Sequence, residues 1–304
     1  MIRTTLAIET TNLSRSFGAR QAVQDINLTI PQGAIFGFLG PNGAGKTTMI
    51  RILLGLIRPT SGSGRILGYD IVQERAAILP HVGAIVESPA FYPYLSGRDN
   101  LLVLLHTSGS KDTHRVAEVL KLVDLTQRAD DKVKTYSLGM KQRLAIAAAL
   151  LNRPHVIFLD EPTNGLDPAG TVEIRELIRH LGQAGHTIFL SSHLLHEVEQ
   201  VCSDVAIINQ GQMVTQGCVA DLTRNGAGVL IEADPLPILQ AVAERMDVPL
   251  RVVGPRTGSL DLAPELIPRL VAGLVHAGAQ VHQVTLQRSS LEQRFLELTR
   301  MDTR

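Results

Sequence analysis

The chain has 304 residues, 44% of them hydrophobic and 19% charged, with 29 Lys+Arg against 29 Asp+Glu and a formal net charge of zero. That balance can bury a real core in one large or two modest domains, and it gives no electrostatic case for a nucleic-acid partner. Two cysteines, Cys202 and Cys218, are too few for a disulfide scaffold or a Cys-rich zinc site, so a reduced, cytosolic setting is expected.

Met1 to Thr5 lead directly into a strand-like segment and show no apolar core of an export signal. Residues 6–8 and 26–30 read as strands, joined by a polar segment that contains Phe17. Residues 34–39 read as a buried strand. It runs straight into Gly40-Pro41-Asn42-Gly43-Ala44-Gly45-Lys46-Thr47-Thr48, and a helix over 47–56 leaves it. This stretch fills the pattern G-x-x-x-x-G-K-[ST] of a phosphate-binding loop. Glycines free the backbone of Cβ atoms, so its N–H groups can wrap a phosphate chain. Lys46 would place its ammonium on the β- and γ-phosphates, the Thr47 hydroxyl would ligate Mg²⁺, and the helix N-terminus would face the same anion. An ordinary glycine turn before a helix would not need this strand–loop–helix order.

Residues 65–70 suggest a further strand and turn. From about 91 to 128 the pattern turns helical and mixed polar, as an insertion would. A helix over 138–152 stops before Pro154. The apolar run 156–159 suits a parallel core strand and closes on Asp160-Glu161. Asp160 would hold Mg²⁺, and Glu161, one residue on, would orient the attacking water or accept its proton. A helix over 168–184, a strand over 187–191, a helix over 194–202 and a strand over 204–209 follow, which makes an α/β core with a parallel sheet. The longest apolar stretches, such as Leu144 to Leu151, fall far short of the roughly 20 residues that a membrane helix needs.

After about residue 221 the pattern changes. Gly226-Ala227-Gly228 suggests a linker. Strands are expected at 229–233, 250–254, 259–262 and 280–286, with helices at 235–246, 264–277 and 289–300. The order βαββαβ suggests a small ferredoxin-like α+β domain over 228–304, behind a first domain over 1–221. In the last helix, Leu291, Phe295 and Leu298 share one face.

Tyr136-Ser137-Leu138-Gly139-Met140-Lys141-Gln142-Arg143 resembles the Leu-Ser-Gly-Gly-Gln signature of ATP-binding-cassette (ABC) proteins, and it stands in the family's order between the phosphate loop and Asp160-Glu161. Asn164-Gly165-Leu166-Asp167-Pro168 resembles the family's dimer-contact loop, and His193 in Leu190-Ser191-Ser192-His193 its switch histidine. The resemblance covers about residues 4–220. It implies a P-loop NTPase core with a parallel sheet, an antiparallel β subdomain and a helical subdomain at about 89–152. It also implies that Phe17 stacks on adenine, although core packing is the other use of a phenylalanine there. Ser137 would cap the helix that follows it. The resemblance implies that Ser137 and Gly139 meet the γ-phosphate of ATP held by a second cassette, and that His193 bonds the γ-phosphate and the attacking water. Leu138 and Met140 depart from the signature. Glu87 stands where the family usually has Gln. It would either ligate Mg²⁺ or face solvent or a membrane partner.

Residues 88–101 and 290–299 resemble the bacitracin-resistance and lantibiotic-immunity type exporters. The expectation is an ATPase subunit on the cytoplasmic face of the cell membrane. It would act as a homodimer or paired cassette, with a permease on a separate chain and no nucleic acid, for a drug, peptide antibiotic or lipid-like cargo. A soluble ABC ATPase of another process and an importer ATPase are the alternatives. A nucleotide-binding scaffold without turnover fits poorly with both Asp160 and Glu161.

Overall fold

Strand β1 (Leu6–Phe17) turns Ala7, Ile8, Thr10 and Leu13 inward and pairs antiparallel with β2 (Arg20–Pro31). Thr10 can lie in this core because its hydroxyl donates to the Ile26 carbonyl (2.9 Å) and accepts from the Leu28 amide (2.9 Å). The hairpin is far longer than the two short strands expected. Register shifts between residues 6 and 16 break its period-two pattern, and with it the sequence signal. The structure described here is a computed structural model that covers residues 5–87, 90–224, 228–287, 291, 292 and 295.

Strand β3 (Ile35–Leu39) follows and leads through the glycine loop to helix α1 (Lys46–Leu53). Strands β4 (Ser61–Ile66) and β5 (Tyr69–Asp70) return to the hairpin, giving a four-stranded sheet of order β2-β1-β4-β5. Helix α2 (Arg75–Ile78) then precedes β6 (Val82–Ile85). The helical segment comprises α3 (Gly97–Thr107), α4 (His114–Leu122) and α5 (Leu138–Ala149). Its entry is fixed by Ser96, whose hydroxyl caps α3 by accepting from the Asp99 amide, and by buried Asn100, which bonds Tyr92 and Ser96.

Strand β7 (Val156–Asp160) is buried at all five positions, as a central parallel strand must be. Helix α6 (Pro168–Gln183), β8 (Thr187–Ser192), α7 (Leu195–Glu199), β9 (Asp204–Asn209) and β10 (Gln212–Cys218) complete this part of the chain, and α8 (Val219–Arg224) follows. The main sheet has the order β10-β9-β3-β8-β7-β6, and β3, β6, β7, β8 and β9 run parallel. Strand β10 was not legible in the sequence. It is a half-exposed edge strand rich in polar residues, reached through a tight Gln210-Gly211 turn with both φ angles positive (48° and 84°).

Two compact units divide the chain, Met1–Gly217 and Cys218–Arg304. In the second, β11 (Gly228–Asp234), α9 (Leu236–Arg245), β12 (Leu250–Val252), β13 (Thr257–Leu260), α10 (Ile267–His276) and β14 (Gln280–Gln287) give the expected βαββαβ order. The antiparallel sheet order β12-β13-β11-β14 is the ferredoxin-like one. Val229, Ile231, Leu239, Val242, Leu270 and Leu274 form its core. Of the helix expected at 289–300, only Leu291, Glu292 and Phe295 are among the described residues; all three are helical and Leu291 is fully buried. Leu298 lies outside them, as do Ser88 and Pro89 and, apart from Gly228, the expected linker.

Candidate nucleotide site

The parallel register assembles the site. Leu39 pairs with Ser192, and Asp160 with Ser191, so the loop after β3, the acids ending β7 and the residue after β8 all lie at one end of the sheet. Ligands of open parallel sheets sit at this carboxyl end.

The glycine loop is shaped by close approach. A Cβ on Gly40 would come within 2.3 Å of the Ile208 carbonyl oxygen, and one on Gly45 within 2.2 Å of that of Ala22. Gly45, at the head of α1, also takes φ 111°. Lys46 is a buried cation held by two carbonyls and one carboxylate. Its Nζ donates to the carbonyls of Gly40 (2.7 Å) and Pro41 (3.2 Å) and pairs with Glu161 Oε1 at 3.1 Å.

Glu161 occupies the left-handed region (φ 49°), a conformation that its surroundings impose. Its amide donates to both the carbonyl (3.2 Å) and the hydroxyl (3.1 Å) of Ser191. While Oε1 faces Lys46, Oε2 accepts from His193 Nδ1 at 2.8 Å. Asp160 is likewise held on both oxygens: Oδ2 accepts from the Thr47 hydroxyl (2.8 Å) and Oδ1 from the Ser191 hydroxyl. Ser191, fully buried, therefore joins the two acids through one oxygen.

A cavity of about 340 Å³ opens over this cluster, walled by Phe17, Arg20, Asn42, Gly43, Lys46 and Glu161 among others. Thr47 and Thr48 also reach it. Phe17 is half exposed, with the Arg15 guanidinium 4.5 Å from its ring centre, so the core-packing use of this ring is not realised. Arg20, which the sequence reading missed, donates to the Gly43 carbonyl (3.3 Å) from the neighbouring strand β2. Nothing local marks it. Only the hairpin register brings it there.

Ser137, Gly139 and Glu87 lie both off these walls and outside the bonded cluster of Lys46, Thr47, Asp160, Glu161 and His193. Ser137 caps α5, its hydroxyl accepting from the Met140 amide (3.2 Å), and a Cβ on Gly139 would meet nothing closer than 4.0 Å. Both belong to an exposed helix start in which Leu138 is half exposed, beside Gly165 of the 164–168 loop. Pro168 opens α6 behind its cap Asp167, which accepts from Gly170 N–H at 2.9 Å. Glu87 (φ 64°) is largely exposed, and its carboxylate is bonded to Arg51 of α1. Among the described residues, no three His, Cys, Asp or Glu side chains cluster to hold a metal, and no helix is long and apolar enough to cross a membrane.

Comparison with known proteins agrees with this geometry. Residues 23–164 match the family model described as "ABC transporter". The uncharacterized ABC transporter ATP-binding protein YhcH of Bacillus subtilis is 40% identical, covering 96% of this chain and 95% of its own length. The bacitracin transport ATP-binding protein BcrA of Bacillus licheniformis is 47% identical over 69% of each chain. The daunorubicin resistance ATP-binding protein DrrA3 of Streptomyces coeruleorubidus is 33% identical over 98% of this chain and 97% of its own. A solved structure of the ATP-binding subunit of an ABC transporter superimposes with a TM-score of 0.64 at 28% identity, over 72% of this chain and 92% of that one.

Proposed function

This chain belongs to the ABC transporter ATP-binding proteins, ATPases coupled to transport, and from that premise we propose that it powers an exporter whose membrane permease is a separate chain. ATP would lie between two cassettes set head to tail. The observation that carries the proposal is the convergence of Lys46, Glu161 and His193 beside the Thr47–Asp160 pair.

Each side chain has a role that follows from its bonds. Lys46 sits at the mouth of the loop with three acceptors that a phosphate oxygen can replace, so it would bind the β- and γ-phosphates. The loop amides and the head of α1 would share the negative charge. Glu161 would take a proton from, or orient, the water that attacks the γ-phosphorus as the bond to the β-phosphate oxygen breaks. His193, already bonded to the other carboxylate oxygen, would fix the orientation of Glu161 and reach the γ-phosphate. The hydroxyl of Thr47 and the carboxylate of Asp160 converge at 2.8 Å, the oxygen set that Mg²⁺ prefers when phosphates and water complete its shell. Bound there, Mg²⁺ would neutralise charge developing on the phosphates.

Ser137, exposed, and Gly139, partly exposed, both off the cavity walls, would serve the γ-phosphate of the opposite cassette. Phe17, half exposed on the wall, suits adenine. Relatives named for bacitracin transport and for linearmycin and daunorubicin resistance favour a drug or peptide antibiotic as cargo, and a permease partner would hold the chain at the cytoplasmic membrane face. Glu161→Gln tests the proposal. It keeps the shape but loses the basicity, so it should bind ATP, turn it over at least about a hundredfold more slowly and collect as a two-ATP dimer on size-exclusion chromatography with light scattering. A monomeric variant with wild-type turnover would overturn the assignment.

A further inference from the structure

Arg51 and Glu87 form an ion pair that neither residue's sequence context announces. Arg51 lies four residues after Thr47 on α1, so the two share one helix face. Glu87 lies two residues past Ile85, which pairs with Leu159 in the parallel β6–β7 ladder. Strand β6 ends there, beside the strand that ends on Asp160, so Glu87 leaves the sheet at the same carboxyl end as the two acids. The carboxylate is therefore held, at the end of the sheet where Asp160 lies, by an arginine one turn along the helix from Thr47.

We propose that Arg51 is a positioning residue that competes with the divalent cation for Glu87. With the pair closed, the Glu87 charge is neutralised and kept off the phosphates. With it open, Glu87 is released as a further oxygen ligand beside Thr47 and Asp160. The inference rests on the nucleotide-site reading above. Its energetics suit a switch. Both partners are well exposed, with side-chain exposures of 39% and 63%. A pair of that kind shifts an equilibrium by no more than about fivefold, so a metal ion can displace it.

The test uses the full chain and a fluorescent ATP analogue whose binding is followed as Mg²⁺ is titrated, with a chelator-only series alongside. Arg51→Gln should lower the half-saturating Mg²⁺ by about two- to fivefold, and Arg51→Lys, which keeps the charge, should return most of the wild-type value. In a Glu87→Ala background, Arg51→Gln should shift nothing. An Arg51→Gln titration that superimposes on wild type overturns the proposal, as does a shift that persists without Glu87. If the analogue shows no Lys46-dependent binding at all, the site reading itself has failed, a result distinct from an intact site whose metal dependence ignores Arg51.

Discussion

Replacing Ser191 by alanine removes a single oxygen that bonds both acids of the site. In the protein that hydroxyl donates to Asp160 Oδ1 and accepts from the Glu161 amide at 3.1 Å. Two things survive the change: Asp160 keeps its 2.8 Å bond from Thr47, and the Glu161 amide keeps the Ser191 carbonyl at 3.2 Å. What is lost is chiefly one buried bond to a charged carboxylate, about 1.5–3 kcal/mol. Spread over a unit of some two hundred residues, about 2 kcal/mol lowers Tm by roughly 4–8 °C. With the roles proposed for Asp160 and Glu161, the same loss should slow turnover by about 10- to 100-fold and raise the Mg²⁺ needed for half-maximal rate. Scanning calorimetry and a phosphate-release assay read the two effects. Ser192→Ala is the control. Its hydroxyl is equally buried but accepts from the Leu194 amide (3.0 Å) and touches neither acid, so stability should fall without the shift in Mg²⁺ dependence. A folded Ser191→Ala protein with turnover within twofold of wild type and unchanged Mg²⁺ dependence would refute the reasoning.

Two further outcomes follow from the cradle and from the division of the chain. Gly45→Ala forces a Cβ to 2.2 Å from the Ala22 carbonyl at φ 111°, whereas Gly43→Ala, at φ 81°, meets nothing nearer than 3.8 Å. Nucleotide affinity should therefore collapse in the first and fall by about tenfold in the second, a ranking that titration with the fluorescent analogue checks. All the walls of the nucleotide cavity lie within residues 17–161, so a chain ending at residue 221 should bind Mg-ATP within about twofold of the full protein; a folded truncation that binds none would show that the second unit completes the site.

How far the fold was legible depends on where each residue faces. Strand β7 announced itself because both its faces are buried and five apolar or terminal positions run together. The ferredoxin-like unit was readable because Gly and Pro punctuate strands and helices that each have a single apolar face. The first hairpin was cut short by its own bulges: Asn12 and Asp25 take positive φ (46° and 48°) where the strands shift register, and the alternation that marks a half-buried strand is lost there. Strand β10 is an edge strand with Gln212 and Gln216 exposed, and no periodicity test finds such a segment.

The site divides along a different line, between residues that are local in sequence and residues that only the fold makes neighbours. Gly40 to Thr48 form one continuous structure, and Asp160-Glu161 end one strand, so a spacing rule reaches them. Ser191 and Arg20 obey no spacing rule, and Arg51, one helical turn after Thr47, belongs to no motif. Ser191 was visible only as one more serine before His193, yet the pairing Asp160↔Ser191 makes it the hinge between both acids. Glu87 shows the converse. Its sequence position points at the metal, and its own charge makes an arginine a competing partner, so a departure from the family pattern at one residue brings in a second that no motif contains. An amide at position 87 would form a weaker bond to Arg51 and carry no charge to be neutralised. In this chain, then, the role proposed for Arg51 depends on Glu87, which is why the Arg51→Gln effect should vanish in a Glu87→Ala background.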